Sequence, residues 1–259
     1  MIKIKSILIY LIMLLMLSSG LLYADDFSDA IMKVKKKLKE NTDNSEQGLL
    51  KIRGDFERIL QLKKNQWLVD YYMGMVDMLI SYQMAEKKDN DAVKKYTESS
   101  IDMLNKATDL KDDFAEAYIL KYAVTSNRWM YEPNKMNDII AMQSEAKELA
   151  GKYDPDNPRM YLVEGINTYY TPEMFGGGVD KAQPLLEKSY ELFKTYKRAD
   201  ETYPDWGKDQ VCGYLALCSL KNDKLEDAKS WIDKGLEADP DSDFIKKQVQ
   251  REYDKKAGK

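Results

Sequence analysis

Three consecutive glycines, Gly176–Gly178, stand between an aromatic-rich segment and a helix-start pattern in Thr171–Lys188, TPEMFGGGVDKAQPLLEK. Glycines ahead of a helix N-terminus can present N–H groups to an anion, which is the chemistry of a phosphate cradle. That chemistry needs a preceding strand with GxGxxG, or a Lys-Ser/Thr pair closing the loop, and this stretch has neither. Asp70 and Asp77 offer a second arrangement: two carboxylates seven residues apart share one helical face, as a general acid–base pair would. Carboxylates so placed are more often salt-bridged or solvated. Cys212 and Cys218 are the only cysteines. Six residues along one helix separate them by about 9 Å of rise, beyond the roughly 7 Å between Cα atoms that a disulfide tolerates. Both read as small core residues. Histidine is absent, which removes the commonest general base, the usual zinc ligand and every Ser–His or Cys–His dyad. No catalytic residue, metal site or cofactor is expected. Binding is the function class that remains.

Elements that would position these residues come from internal repeats. Val211–Ser242 fits the 34-residue tetratricopeptide (TPR) pattern without a gap. Leu215 and Ala216 take the seventh and eighth positions. Ala228, Ile232 and Gly235 take the small, large, small positions of the second helix, where small side chains let two helices approach and large ones fill the groove. Gly74 and Gly165 mark the eighth position of earlier repeats; Ser100, Leu104 and Ala107, and then Ala182, mark second helices. The periodicity predicts eleven helices, over 27–40, 46–63, 66–87, 90–110, 114–130, 135–153, 157–170, 180–200, 205–221, 224–238 and 241–256. No stretch combines period-two alternation with β-branched enrichment, so an all-α solenoid is expected. Its last helix, with Phe244, Ile245, Val249 and Tyr253 on one side, is expected to cap the final repeat.

Within that frame the glycine stretch is a lengthened turn inside one repeat. Pro172 ends the first helix, Asp180 is the expected N-cap with Gln183 completing a capping box, and Pro184 falls in the first turn. Two readings stay open for the loop. It folds Met174 and Phe175 back onto the solenoid, or it borders a ligand or partner site. Aligning on Gly74 and Gly165 places Tyr71, Tyr72, Met75, Met78, Leu162, Ile166, Tyr169 and Tyr170 on the first-helix face that a solenoid turns inward. These residues are either core or an apolar, aromatic concave surface. The candidate site is therefore Tyr71, Met75, Met78, Tyr169 and Tyr170, with the loop Met174, Phe175, Gly176, Gly177 and Gly178. Trp206 belongs to a connection between repeats, at the opposite end from the glycine loop.

The chain opens with MIKIKSILIYLIMLLMLSSGLLYA, in which Lys3 and Lys5 precede an unbroken apolar run, Ile7–Leu17. This layout predicts a secretory leader, residues 1–24, cleaved after Ala24 and followed by one helical-repeat domain, 25–259. Leu22 is larger than the usual small residue at −3, so retention as an anchor stays open. No cysteine lies nearby, which excludes a lipoprotein signal. The expected location is the periplasm or outside the cell, with no membrane span in the mature chain. With 44 acidic residues against 40 basic ones, the formal charge of −4 favours neither nucleic acid nor an anionic membrane surface.

The segments FERIL, WLVDYY, DNPRMYLVEGINTYYTPEMFGGG, KAQPLLEKSYELF and PDWGKDQ together resemble a family of uncharacterised exported bacterial TPR-like proteins. The resemblance covers most of the chain after residue 24; it implies a helical-repeat fold and lends no activity. A more distant likeness, in compartment and architecture, is to the periplasmic TPR component associated with some TRAP transporters. Two functions follow as expectations. The first is a non-enzymatic binding or scaffold protein that takes a protein or peptide partner on its concave face. The alternative is a transporter accessory that carries a hydrophobic small molecule, which requires an enclosed cavity.

Overall fold

The computed structural model describes residues 26–41 and 45–258. The expected leader and its cleavage site lie outside the described residues. Helix α1 spans 26–39. It is followed by α2 (Glu46–Ile59), α3 (Gln66–Glu86), α4 (Asn90–Leu110), α5 (Ala115–Thr125), the one-turn α6 (Arg128–Tyr131) and α7 (Met136–Tyr153). Then come α8 (Pro158–Tyr170), α9 (Val179–Thr195), α10 (Lys208–Lys221) and α11 (Leu225–Ala238). A π-helical turn, Phe244–Val249, runs directly into α12 (Gln250–Lys256). No strand occurs among the described residues. The fold is an all-α, TPR-like solenoid of the pairs α3/α4, α5/α7, α8/α9 and α10/α11.

Local chemistry accounts for several helix starts. Asp89 caps α4 by accepting from the Ala92 N–H at 3.0 Å, and Asn157 caps α8 by accepting from Arg159 N–H at 3.0 Å, with Pro158 at the first helical position. Within pairs, small residues set the approach. The Ser100 hydroxyl donates to Gly74 O at 2.7 Å, and Gly74 rests against Leu104. A Cβ at Gly165 would lie 2.8 Å from Leu186, so α8 and α9 can close only around a glycine. Ala182, Ala216, Ala228 and Ile232 are fully buried, as the repeat register requires.

Three boundaries differ from expectation. Helix α5 stops at Thr125, because the Asn127 amide turns inward to Ser81 Oγ (2.8 Å) and Thr97 Oγ1 (3.3 Å) between α3 and α4. The N-cap of α9 is Gly178, not Asp180. Gly178 has φ 100° and donates its N–H to Thr168 O at 2.9 Å, so the helix begins one residue after it and Pro184 sits inside. The segment 196–207, expected to be largely helical, is a strap. It crosses to the N-terminal helices, where Thr202 O accepts from Tyr72 Oη at 2.6 Å and Lys35 Nζ donates to Glu201 O (3.0 Å) and Tyr203 O (2.7 Å). From beneath, Arg159 donates to Pro204 O (2.7 Å) and Trp206 O (3.0 Å) while pairing with Glu116 at 2.8 Å. Backbone carbonyls of the strap thus take the place of helix bonds with side chains from distant helices.

Candidate functional site: an aromatic groove between α3 and the C-terminal helix

One wall of the groove is the inward stripe of α3, where Met75, Leu79, Tyr82 and Glu86 recur at helical spacing. Facing it is the C-terminal helix, which presents Phe244, Lys247, Gln248 and Arg251. Gly213 makes this possible: any Cβ there would collide with the Phe244 ring, and at Gly235 it would collide with Ile245. Ile245 and Val249 are buried against the last repeat while the opposite face of the same helix stays on the groove. Ser242 anchors the entry by donating its hydroxyl to Asp209 Oδ2 at 2.6 Å. The helix therefore caps the solenoid, as expected, and also walls the site. π-Helical turns are rare, and they concentrate at functional positions.

The groove has two lobes that share Glu86, Lys247 and Gln248. One, of about 660 Å³, ends at Lys35, Tyr72 and Trp206 beneath the strap. The other, of about 910 Å³, ends at Tyr169, Tyr170, Leu217 and Leu220. Both volumes fall in the range of small-molecule sites, roughly 300–1,000 Å³. Tyr214 lines neither lobe but packs behind both, with ring centroids 5.9 Å from Tyr169, 6.2 Å from Tyr170 and 5.0 Å from Phe244. Burial and the neighbouring phenol of Tyr170 hold the Tyr214 hydroxyl well above its ordinary range, and burial pushes Tyr169 up to about 12. These phenols are neutral hydrogen-bonding groups on apolar rings at physiological pH. Around the larger lobe stand Lys221, Lys247, Arg251, Lys255 and Lys256, with Glu86 and Glu252 as the only carboxylates in its lining. Lys256 is committed to Asp223 and Leu220 O, and Lys247 pairs with Asp243. Lys221, Arg251 and Lys255 have no ion pair among the described residues.

Of the expected site residues, Met75 lines the smaller lobe and Tyr169 and Tyr170 line the larger. Tyr71 and Met78, expected on the concave face, are core instead. Tyr71 is fully buried against Tyr72 and Phe114, and its hydroxyl accepts from Trp206 Nε1 at 3.0 Å. Met78 belongs to the same continuous core. Closure of the solenoid by the strap covers what an open TPR would display. Met174, Phe175 and Gly176–Gly178 follow Tyr170 but line neither lobe. Nor does the loop fold back: Met174 and Phe175 are 83% and 72% exposed. Gly177 is buried against Thr171, where a Cβ would collide with the carbonyl. Asp77 accepts from Arg53 and Ser99, each at 2.7 Å, and so is a structural ion pair. Trp206 and Tyr170 stand at opposite ends of one groove, which sequence position alone separated. Tyr82, Tyr214 and Arg251 escaped the sequence reading. The Phe244–Gln248–Arg251 spacing was the available signal for the second wall.

Among the described residues no helix is long and apolar enough to cross a membrane, and no group of three or more potential ligands is placed to hold a metal ion. No protein-family model matches this sequence, and no curated protein does. Solved structures that are similar include two of note. The thermophilic TPR protein TTC0263 of Thermus thermophilus superposes with a TM-score of 0.55 at 13% identity, covering 80% of this chain and 91% of its own, a likeness of fold alone. The HusA haemophore from Porphyromonas gingivalis superposes with a TM-score of 0.61 at 26% identity, over 77% of this chain and 94% of that one.

Proposed function

We propose that this chain is a non-enzymatic, exported binding protein whose concave groove holds a flat, apolar small molecule with carboxylates on its edge, of the porphyrin class. The observation that carries the reading is the groove itself: aromatic and aliphatic walls from α3, α8, α10 and the C-terminal helix, with uncommitted cations at one rim. Apolar walls supply affinity by burying a ring system, and a few charges fix its orientation. Similarity to a haemophore supports the ligand class. The second wall favours a small ligand over a protein partner, because a partner needs the concave face open. Handing the ligand to a transporter, the accessory role implied by the TRAP likeness, would use the same groove. An exported location rests on the leader pattern of residues 1–24; an N-terminus at Asp25 in the periplasmic fraction or medium tests it.

Titration with protoporphyrin IX and with its dimethyl ester tests the ligand. Saturable shifts of the porphyrin absorption band are expected for both. Reversing Arg251→Glu together with Lys255→Glu, both exposed, is expected to weaken the diacid by roughly tenfold or more and to leave the diester unchanged. Absence of saturable binding for either compound sinks the reading.

A further inference from the structure

The two lobes of the groove differ in charge. The lining of the larger carries Lys221, Lys247, Arg251, Lys255 and Lys256 against two carboxylates, Glu86 and Glu252. The lining of the smaller is balanced: Lys35, Lys39, Lys87, Lys208 and Lys247 stand against Glu86, Asp205, Asp209, Asp239 and Asp243. Much of that charge is paired within the lobe. Lys35 lies 3.5 Å from Asp205, Lys39 meets Asp239 at 3.3 Å, and Lys247 meets Asp243 at 2.7 Å. Lys87 and Lys208 have no ion pair among the described residues, and they are offset by Glu86 and Asp209, which likewise have none.

Hydrogen-bond donors divide the same way. Lys35, Tyr72 and Trp206, which end the smaller lobe, are already bonded within the protein. Lys35 Nζ donates to Glu201 O and Tyr203 O, Tyr72 Oη to Thr202 O, and Trp206 Nε1 to Tyr71 Oη. Around them lie Leu38, Leu49, Met75 and Leu79, with the neutral amides of Gln83 and Gln210. The larger lobe is the reverse. Arg251 and Lys255 stand exposed one turn apart on α12, where the Cβ atoms of such a pair are about 5–6 Å apart, and neither has an ion pair among the described residues. Two carboxylates carried side by side suit that spacing.

We propose that the groove selects flat ligands by where they carry their acids: both carboxylates on one edge, at Arg251 and Lys255, with an uncharged edge in the smaller lobe. The inference rests on the porphyrin reading of the groove and narrows it to ring systems charged on one side only. A ring lying over Glu86, Lys247 and Gln248, which the lobes share, has one edge in each. Its apolar edge is buried against α1, α2 and α3, while its acids gain charge-assisted hydrogen bonds at the open rim. A ligand with acids on opposite edges forces one of them toward Leu38 and Leu49, where the lost hydration has no replacement.

Two mesoporphyrin isomers of identical composition test it: mesoporphyrin IX, whose two propionates lie on adjacent pyrroles, and the isomer that carries them on opposite pyrroles. Absorption titrations of the mature chain are expected to show mesoporphyrin IX bound more tightly by roughly tenfold or more, and the two dimethyl esters bound alike. Leu38 is half-buried on α1 between Lys35 and Lys39, so Leu38→Lys places a cation in the smaller lobe. This variant is expected to raise the affinity of the opposite-pyrrole isomer several-fold and to leave mesoporphyrin IX unchanged, which also reports that it is folded. Equal affinities of the two acids for the parent chain, or an unchanged ratio in L38K, overturn this inference while the porphyrin reading stands. A preference that persists between the esters assigns the selectivity to shape and overturns it too. Absence of saturable binding by either isomer overturns both.

Discussion

Replacing Arg159 with Met probes the closure of the solenoid at its most committed residue. The Arg159 side chain is 3% exposed, and its guanidinium bonds Glu116 Oε1 (2.8 Å), Pro204 O (2.7 Å) and Trp206 O (3.0 Å). Methionine fills part of the volume and supplies no donor. Two strap carbonyls lose a partner, and Glu116 keeps only the Asn157 amide (2.8 Å) while its second oxygen already has no partner. Breaking one side of a buried ion pair costs about 3–5 kcal/mol, a large part of a typical stability of roughly 5–15 kcal/mol. The loss carries a pH signature. Burial already holds the Glu116 carboxyl above its ordinary range against the pull of Arg159, and the variant removes that pull. A carboxyl with a raised folded pKa binds more protons folded than unfolded. Both proteins lose this contribution as pH rises above about 4.3, and R159M goes on falling, by up to roughly 1.4 kcal/mol per unit relative to the parent, over the window between the parent's raised folded pKa and the variant's still higher one. Urea melts of both proteins at pH 5 and pH 8 measure the difference, with equal m-values as the check on two-state comparison. R159M/E116Q should recover most of the pH-dependent part. A deficit equal at both pH values, with no recovery in the double variant, refutes an uncompensated Glu116 as the cause.

Three further expectations follow from packing. Gly213→Leu drives a side chain into the Phe244 ring, so it should cost about 1–3 kcal/mol and also abolish porphyrin binding; unchanged binding would remove the C-terminal helix from the site. Ala228→Leu overpacks the α10/α11 contact and should lower stability by a similar amount in a thermal melt with little effect on ligand titration. Cys212 and Cys218 are buried, and burial pushes both thiols up to about 12, so a thiol reagent at pH 8 should label neither in the native chain and both in denaturant. Rapid native labelling would mean that the last repeat opens locally.

The pairing of helices was legible because its determinants are local. The 3.6-residue periodicity marks each helix, and a glycine or alanine facing a leucine sets each approach, as at Gly74 with Leu104 and Gly165 with Leu186. Asn157 and Pro158 announce α8, and Pro172 ends it. Where local signals competed, they misled. Asp180 has the chemistry of an N-cap, but Gly178 alone tolerates φ 100° and takes the position. The strap 196–207 looked helical in part because its backbone partners lie on α1, α3 and α8, far away in sequence.

By itself, the sequence determined that this chain is an all-α repeat with neither histidine chemistry nor a route to a disulfide within α10, and that tyrosine and methionine dominate its inward faces. Which of those tyrosines are surface was decided only in three dimensions. Tyr71 and Tyr170 both fall on the first-helix face that the repeat register turns inward, yet Tyr71 is sealed by Phe114 and Trp206 while Tyr170 is 65% exposed. Side-chain type and spacing set what a helix face can bury. Whether a segment more than a hundred residues away arrives to cover it depends on the curvature of the whole solenoid. Curvature is the sum of many small pair geometries, and no single stretch encodes it.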